Sequence, residues 1–315
     1  SRPVTFGAAI IGPAVKGPVE IPTAVSSFSQ YEAIFGGAVE SGSQYYTYLN
    51  SIAARNYFAN GGESLLVTRV VTGSFTSAFT SGSSSSTSSG NGSGIQTVNY
   101  SEAGDAGYQK MAFQLKTISE GAIMNSSGSL SASGSLASGS ADNLRWEIAS
   151  INQSAGTFSL LIRRGNDTNN QKAILETYNN LSMDPTAANY VAKVIGDTYY
   201  SIEQDGTDYY VKTNGNYVNR SAYVYVSAVY TPTPNYFNND GTAKANLTGS
   251  LPAVLSGSFT GATGENLYNN DGKFNENITA QNIQGIGPND YTQSIKLLSN
   301  KDDYQFNVIS APGLI

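Results

Sequence analysis

Two pairs of aspartates are the residues of this chain whose spacing could support chemistry. Asp205 and Asp208 lie close together in sequence, and Asp302 and Asp303 are adjacent. Paired carboxylates can divide the acid and base roles of a hydrolysis, as they do in glycosidases. The first pair, however, flanks a predicted hairpin turn, and the second lies between a predicted helix and a predicted strand. Because aspartate is common in such turns for structural reasons, we expect neither pair to be catalytic.

Oxygen-bearing side chains also gather around Gly272, where Asn269, Asp271 and Asn275 could in principle bind a cation. Their spacing does not fit the calcium-binding loop of an EF-hand, so a solvated turn is the favoured interpretation. Glycines alternate over residues 90–94, but no helix follows that could help to hold a phosphate group. We therefore predict no catalytic, no cofactor-binding and no metal-ligating residues, and no cofactor.

Composition excludes further classes of protein. The 315 residues include neither histidine nor cysteine, which excludes Ser-His-Asp and Cys-His catalysis, disulfides, and zinc sites built on these residues. The formal net charge is −6 and no basic cluster is present, so we do not expect nucleic acid as a partner. No apolar run reaches membrane-spanning length. We expect that the protein is not an enzyme.

Charged residues make up only 13% of the chain, well below the usual share of roughly a quarter. The polar surface must therefore come largely from Ser, Thr, Asn, Gln, Gly and Tyr, which suits extracellular or virion β-proteins and close packing between many identical neighbours. A β-rich fold is the simpler explanation, since Tyr and Thr favour strands. The most basic local feature is Arg163-Arg164, for which we expect an ion pair between domains or between subunits.

The first 73 residues have the pattern of one half of an α/β layer. Residues 4–11 predict a buried strand, because they are continuously small and apolar. A short helix follows, with Ser29 as its N-cap and Glu32 completing a capping box. Tyrosine-rich helical spacing predicts a second helix over about 43–59, and residues 65–71 predict a β-branched strand.

Composition changes abruptly after Gly73. Residues 81–94 and 126–140 are Ser- and Gly-rich tracts, which we interpret as exposed loops of an inserted domain, the second with some irregular strand pairing. Asp205-Gly206 predicts a hairpin turn, and residues 168–181 are ambiguous between helix and strand. The candidate strands of this mostly β region are 112–118, 144–151, 158–164, 198–203, 209–212 and 217–229.

Two further helices complete the prediction. The first is capped by Asp184, has Pro185 at its first position and ends at Gly196. The second begins at residue 289 or 290 and leads to residues 305–309, which predict a buried strand. The fold class that follows is α+β, with a discontinuous α/β core layer and a large inserted β-rich domain.

Several blocks of sequence resemble contractile tail sheath proteins of phages and related injection machines. Residues 7–37 contain a G-P-A-x-x-G-P corner and the helix S-F-S-x-Y-E-A-I-F-G. Residues 45–71 end in YFANGGESLLVTRVV, which looks like the family's helix, Asn-Gly-Gly stop and V-x-R-V strand. Residues 291–313 end in YQFNVISAPG, which is similar to the family's core strand and Ala-Pro-Gly. Residues 158–197 look like the inserted region of sheaths from large, T4-like phages.

The resemblance implies a discontinuous sheath core over residues 1–73 and 280–315, incomplete in this chain. It implies an outward-pointing β-rich domain, or domains, over residues 74–279. It also implies terminal arms that add strands to the sheets of neighbouring subunits. The chain resembles a fragment that lacks the N-terminal arm and the C-terminal domain, so we expect it to behave as a monomer by itself.

A sheath subunit is expected to stack in hexameric rings around a tail tube and to contract through movements of largely rigid subunits. The implied partners are further copies in a helical lattice, the tail tube protein, the baseplate and the tail terminator, without nucleic acid or membrane insertion. The implied location is the virion tail, assembled in the host cytoplasm, where contraction drives the tube through the host envelope. The alternative is a glycan-binding or adhesive β-protein of a virion or cell surface.

Overall fold

The structure is a computed structural model that describes residues 5–41, 44–80, 94–98, 110–264 and 276–315. These residues form sixteen strands and five α-helices, so the prediction of an α+β fold is confirmed. In chain order the strands are β1 (Thr5–Gly12), β2 (Thr23–Val25), β3 (Ala38–Ser41), β4 (Gln44–Thr47), β5 (Leu65–Arg69), β6 (Ser77–Thr80), β7 (Ile95–Gln96), β8 (Met111–Glu120), β9 (Leu144–Asn152), β10 (Thr157–Arg164), β11 (Ile174–Ser182), β12 (Tyr199–Asp205), β13 (Asp208–Asn214), β14 (Val224–Val229), β15 (Ser256–Thr260) and β16 (Gln305–Ser310). The helices are α1 (Phe28–Phe35), α2 (Leu49–Ala59), α3 (Val191–Ile195), α4 (Ala245–Thr248) and α5 (Thr292–Leu298). None of these helices is long and apolar enough to cross a membrane.

A mixed four-stranded sheet combines strands from both ends of the chain. Its order is β16-β1-β5-β2, and β1 pairs in parallel with both β16 and β5. Ala8 lies opposite Val308 on one side and opposite Leu65 on the other. All of β5 is buried, as expected for a strand that is covered on both faces of its sheet.

Both faces of this sheet carry an apolar layer. On one face, Tyr31 and Phe35 of α1 and Ala54 of α2 pack in one cluster with Leu65 and Val67 of β5. The other face is covered by the β3–β4 hairpin and by the segment that leads through a 3₁₀ turn into α5. The buried side chains of that second cluster include Val39, Tyr48, Leu66, Ile283, Ile286, Tyr291 and Leu298.

Helix α1 is capped earlier than predicted. The cap is Ser27, whose backbone is extended and whose side-chain oxygen accepts a hydrogen bond from Gln30 N at 3.2 Å. The backbone N–H of Ser26 donates to Gln30 Oε1 at 2.8 Å. The prediction of Ser29 and Glu32 as the capping box is therefore wrong, because the cap is Ser27, two residues earlier, and Gln30 bonds to the backbone of the residue before it.

Helix α2 is shorter than predicted. Residues 44–47 form β4, which pairs with β3, and the helix begins only at Leu49. Its first turn is capped from far along the chain, since Leu49 N donates to Gln284 Oε1 at 2.8 Å and Gln284 Nε2 donates to Thr47 O at 3.3 Å. The prediction of a helix from residue 43 is therefore wrong. The spacing of nearby residues gives no information about a cap that a distant side chain supplies.

An eight-stranded sheet curves around the larger core. Its order is β11-β10-β9-β15-β6-β8-β14, with β7 also paired to β8. Helix α3 contacts β11 and β14, the two ends of this order. Glu176 of β11 links the same ends, because its carboxylate accepts hydrogen bonds from Ser221 Oγ at 2.6 Å and Ala222 N at 2.8 Å. The core inside the curve includes Phe113, Trp146, Ile148, Phe158, Leu160, Ile162, Val191, Ile195 and Val224.

Two predicted elements of this region are shortened by competing hydrogen bonds. The strand predicted over 217–229 is observed only as β14, since the residues just before it bond to Glu176. The helix predicted from Asp184 is wrong in its first half, because Asp184 Oδ1 accepts Thr186 N at 2.9 Å in a turn and α3 begins later. Gly196 ends the helix as predicted.

The remaining strand predictions of the β-rich region are confirmed to within a few residues. The ambiguous residues 168–181 include most of β11. Strands β12 and β13 form a separate hairpin, and Gly206 takes a φ of 61° in its turn, as the Asp-Gly pattern predicts. Within the tract 126–140, Leu130 and Leu136 form an isolated antiparallel bridge, so partial pairing is confirmed. Most of the tract 81–94 lies outside the described residues.

Candidate functional site

The aspartate pairs occupy turns. Asp205 and Asp208 lie opposite each other at the end of the β12–β13 hairpin. In the turn before β16, Asp302 N donates to Asn300 Oδ1 at 3.1 Å, and Asp303 Oδ2 accepts from Asn300 Nδ2 at 2.9 Å. Both pairs of aspartates therefore lie in turns, where the sequence predicted a structural role for them.

The other candidate groups are not brought into a site that the structure describes. Asn269, Asp271, Gly272 and Asn275 lie outside the described residues, as do the first glycines of the stretch 90–94. Within the described ranges, no three His, Cys, Asp or Glu side chains are grouped so that they could hold a metal ion.

Arg163 forms a buried ion pair inside the eight-stranded sheet and its adjoining turn. Its Nε and Nη2 bond to the two oxygens of Asp167 at 2.7 and 2.8 Å, and its Nη1 bonds to Glu147 at 2.7 Å. Asp167 also accepts Arg145 Nη1 at 3.2 Å. Burial, followed by the neighbouring charge of Arg163, lowers the pKa of Arg145. The prediction that Arg163 forms a pair between domains or subunits is wrong, because its partners lie on the neighbouring strand and in the next turn.

A joint connects the four-stranded sheet to the end of β8. We use this name for residues 16–20 together with Arg69, Ser119, Glu120 and Asp142. Gly17 N donates to Ser119 Oγ at 2.7 Å, and Val19 N donates to Glu120 Oε2 at 2.9 Å. Lys16 Nζ lies 3.1 Å from Asp142 Oδ1. The two sheets are thus fastened by several specific contacts close to one another.

Arg69 lies at the centre of this joint. The side chain is buried at the end of β5, and its Nη1 donates to Gly17 O at 2.6 Å and to Glu120 O at 3.0 Å. Its guanidinium lies over the ring of Phe75, 5.6 Å from the centroid. Burial lowers the pKa of Arg69 to about 10. Because it extends from β5 and bonds to carbonyls of the corner after β1 and of β8, Arg69 acts here as a cross-link.

Two carboxylates accompany this arginine. Burial raises the pKa of Glu120, and burial together with the charges of Glu120 and Asp290 raises the pKa of Glu20. The backbone of Glu20 has a φ of 59°, which non-glycine residues seldom adopt, and its N–H donates to Arg69 O at 2.8 Å. The chain is therefore held in a strained conformation where it meets β8.

Strand β16 forms an open edge of the four-stranded sheet. The prediction that residues 305–309 are buried is wrong, since the side chains of Val308 and Ile309 are 60% and 46% exposed. The inner side of β16 pairs with β1, and no strand of the described residues pairs with its outer side. An unpaired edge with exposed apolar side chains is a template for pairing with another chain.

Comparison with known proteins gives structural likenesses only. No family model matches the chain, and no curated protein matches it. A sheath tail protein from Listeria innocua aligns at 10% identity and a TM-score of 0.37, covering 98% of this chain and 41% of that one. A sheath tail protein from Desulfitobacterium hafniense aligns at 10% identity and a TM-score of 0.25, covering 73% of this chain and 38% of that one. Both TM-scores are too low to establish a shared fold, and this chain spans less than half the length of either protein.

Sequence reasoning missed the joint. One signal was present, because Arg69 interrupts the apolar run LLVTRVV, and a charged residue in a buried strand must find partners. Ser119 and Glu120 gave no comparable signal. Their partners at Gly17 and Val19 lie about a hundred positions away, at 102 and 101 residues.

Proposed function

We propose that this chain is a structural subunit of a contractile phage tail sheath of the T4-like type, and not an enzyme. The proposal rests on the positions, in the fold, of the three sequence blocks that resemble the family. Residues 7–37, 45–71 and 291–313 contribute β1, β5 and β16 to one sheet, together with the helices beside it. The last block is more than 200 positions from the others, so its pairing with β1 is not a consequence of local motifs.

In this proposal, residues 1–73 and 280–315 form the sheath core, and residues 74–279 form the inserted, outward-pointing domain. Strand β6, the first after residue 74, pairs within the eight-stranded sheet. After residue 280 the chain returns to the other sheet, where Ile283 and Ile286 pack in its core. Both observations support these boundaries.

The open edge of β16 is the surface through which we propose that copies of the protein are linked. A strand supplied by a neighbouring copy would bond to the unpaired main-chain groups and cover Val308 and Ile309. Such strand addition draws its affinity from backbone hydrogen bonds, so it can hold subunits together while their side-chain packing changes.

The joint supports the second part of the proposal, in which subunits move as largely rigid bodies. Hexameric rings would stack around the tail tube protein, between the baseplate and the tail terminator, in the virion tail. Assembly would occur in the host cytoplasm. Contraction would move subunits to a more favourable packing and drive the tube through the host envelope, without a nucleotide. A core and an inserted domain fastened by Arg69 and Glu120 suit this movement better than two domains on a flexible linker.

Electron microscopy of the full-length gene product tests the proposal. We expect helical tubes of about the width of a phage tail, with hexameric symmetry in cross-section. A protein that stays monomeric at high concentration, with and without tail tube protein, would contradict it.

A pair of matched variants tests the proposed surface. Val308→Lys places a charge on the open edge of β16 and should abolish tube formation while the circular dichroism spectrum is retained. Ile174→Lys is the control, because Ile174 is 49% exposed on β11, the edge strand of the other sheet. Tubes formed by both variants, or by neither, would overturn the assignment of the assembly surface to β16.

A further inference from the structure

A cleft of about 850 Å³ opens beside the joint, between the two sheets. It is lined by residues of β8 and β14, by the stretches 18–21 and 71–77, and by β12, whose share of the lining we call the β12 wall. Its volume lies within the range of roughly 300–1,000 Å³ that is usual for small-molecule sites. The open edge of β16 does not line it, so the cleft is separate from the proposed assembly surface.

Tyrosine rings lie on both sides of the β12 wall, because consecutive side chains of a strand point to opposite faces. Tyr199 stacks on Tyr225, with ring centroids 5.9 Å apart and an interplanar angle of 23°, and yet Tyr199 is 47% exposed. Tyr200 is 52% exposed and lines the cleft together with Ile202, which lies on the same side of the strand because side chains alternate. Aromatic surface exposed along a concave wall can be covered by a ligand that has an apolar face.

Polar groups line the other parts of the cleft. Glu20 and Glu120 supply carboxyl oxygens, Lys116 supplies an ammonium group, and Gln293 supplies an amide that can both donate and accept. Burial raises the pKa of both glutamates. The carboxyl oxygens accept hydrogen bonds, and the ammonium and amide N–H groups donate them, so this lining suits ligand groups that do both.

The mixture of charges selects among ligand classes. A strongly anionic ligand would be repelled by Glu20 and Glu120, while the ammonium group of Lys116 offsets part of the attraction of these carboxylates for a cation. Hydroxyl groups are neutral, and each can donate and accept hydrogen bonds. Sugars carry many hydroxyl groups and also have apolar C–H faces that can lie flat against aromatic rings.

We propose that this cleft binds a neutral oligosaccharide. One sugar ring lies against the side of β12 that carries Tyr200 and Ile202, and its hydroxyl groups bond to Glu20, Glu120 and Gln293. The proposal is independent of assembly into a sheath, since it uses a different surface. Tubes without sugar binding would overturn it and leave the sheath proposal intact.

The test begins with the folded protein on an array of neutral, acidic and amino oligosaccharides. Titration calorimetry follows, with the best neutral sugar from the array and with maltotriose, cellotriose and tri-N-acetylchitotriose. We expect a neutral sugar to bind with a submillimolar Kd. Failure of every neutral sugar at concentrations up to about 10 mM, or binding of acidic or amino sugars alone, would overturn the proposal.

Three variants at exposed tyrosines make the test specific. Tyr200→Ala should weaken binding about tenfold or more through loss of the ring, and Tyr200→Phe should bind within about threefold of the unchanged protein because it keeps the ring. Tyr210→Ala is the matched control, since Tyr210 is 40% exposed on the paired strand β13 and does not line the cleft. Unchanged binding by Tyr200→Ala, or equal loss in Tyr210→Ala, would exclude this wall as the binding surface.

Discussion

The charge network around Asp167 allows the sharpest test of how the β-rich sheet is stabilised. In the variant Asp167→Asn the side chain keeps its size and one acceptor oxygen but loses its charge. Arg163, which bonds to both carboxylate oxygens, and Arg145, which bonds to one, are both fully buried. Glu147 would still lie within bonding distance of Arg163, at 2.7 Å.

The expected loss of stability follows from this burial. Removing one partner of a buried ion pair costs about 3–5 kcal/mol, because the remaining charge stays in a medium that solvates it poorly. With an m-value of about 2 kcal/mol/M in urea, the unfolding midpoint of Asp167→Asn should fall by about 1.5–2.5 M. Lys172→Ala is the control, because Lys172 also bonds within the network, to Glu147 at 2.7 Å, but its side chain is 35% exposed. A pair with one partly exposed, solvated member should be worth much less than a buried one, about 1 kcal/mol or below.

Trp146 is a suitable probe for this measurement. It is the single tryptophan of the chain, is 2% exposed, and lies opposite Ile162 in the β9–β10 pair that carries the network. Its fluorescence therefore reports the unfolding of this sheet, even if the other sheet unfolds separately. If Asp167→Asn lowered the midpoint by no more than Lys172→Ala does, the network would not be a main source of stability.

Two further predictions concern the joint. Gly17→Ala should cost about 1–3 kcal/mol, because Gly17 has a φ of 107° and a Cβ there would lie 2.7 Å from Phe35 Cδ1. Gly73→Ala is the control, because Gly73 has a φ of 73° and no atom lies within 4 Å of the added Cβ. It should lower the melting temperature less than Gly17→Ala does. Equal decreases in melting temperature would exclude the contact with Phe35 as the cause. Because burial raises the pKa of Glu120 above 4.5, folding favours its protonated form, and its contribution to stability is lost as pH rises from 4.5 through the raised value. Glu120→Gln removes this titration and keeps an acceptor for Val19 N. In thermal melts, the stability of this variant relative to the unchanged protein should therefore increase as pH rises over that range. A difference in melting temperature that does not change with pH would contradict the argument.

Strand positions were the most predictable part of the fold. A continuous apolar run located β1, and a dense β-branched run located β5, which is buried along its whole length. The turn at Gly206 was predictable for a different reason, since its φ of 61° is a local requirement that the Asp-Gly pattern signals. In each case the physical cause lies within a few residues of its effect.

The wrong predictions concern features that the nearby sequence does not determine. The start of α2 depends on Gln284, a residue 235 positions from Leu49. The exposure of Val308 and Ile309 depends on whether another strand lies beside β16, and an edge strand can have the same apolar residues as a central one. The partners of Arg163 were nearer, at Asp167 and Glu147, but a pair of arginines does not by itself indicate which carboxylates will face it.

The relative positions of the open edge of β16 and the joint bear directly on the proposed role of the protein as a sheath subunit. Strand β1 pairs along its length with β16 and leads directly into the corner at Gly17, which bonds to the end of β8. A load applied to β16 by a neighbouring subunit would therefore pass through one parallel ladder and one set of buried contacts before reaching the eight-stranded sheet. Parallel strands pulled along their axes load all ladder hydrogen bonds at once, whereas the contacts of Arg69 would be loaded few at a time. In the proposed sheath, the joint is thus the place where the two sheets would separate first, so variants that weaken it would be expected to impair contraction before they impair assembly.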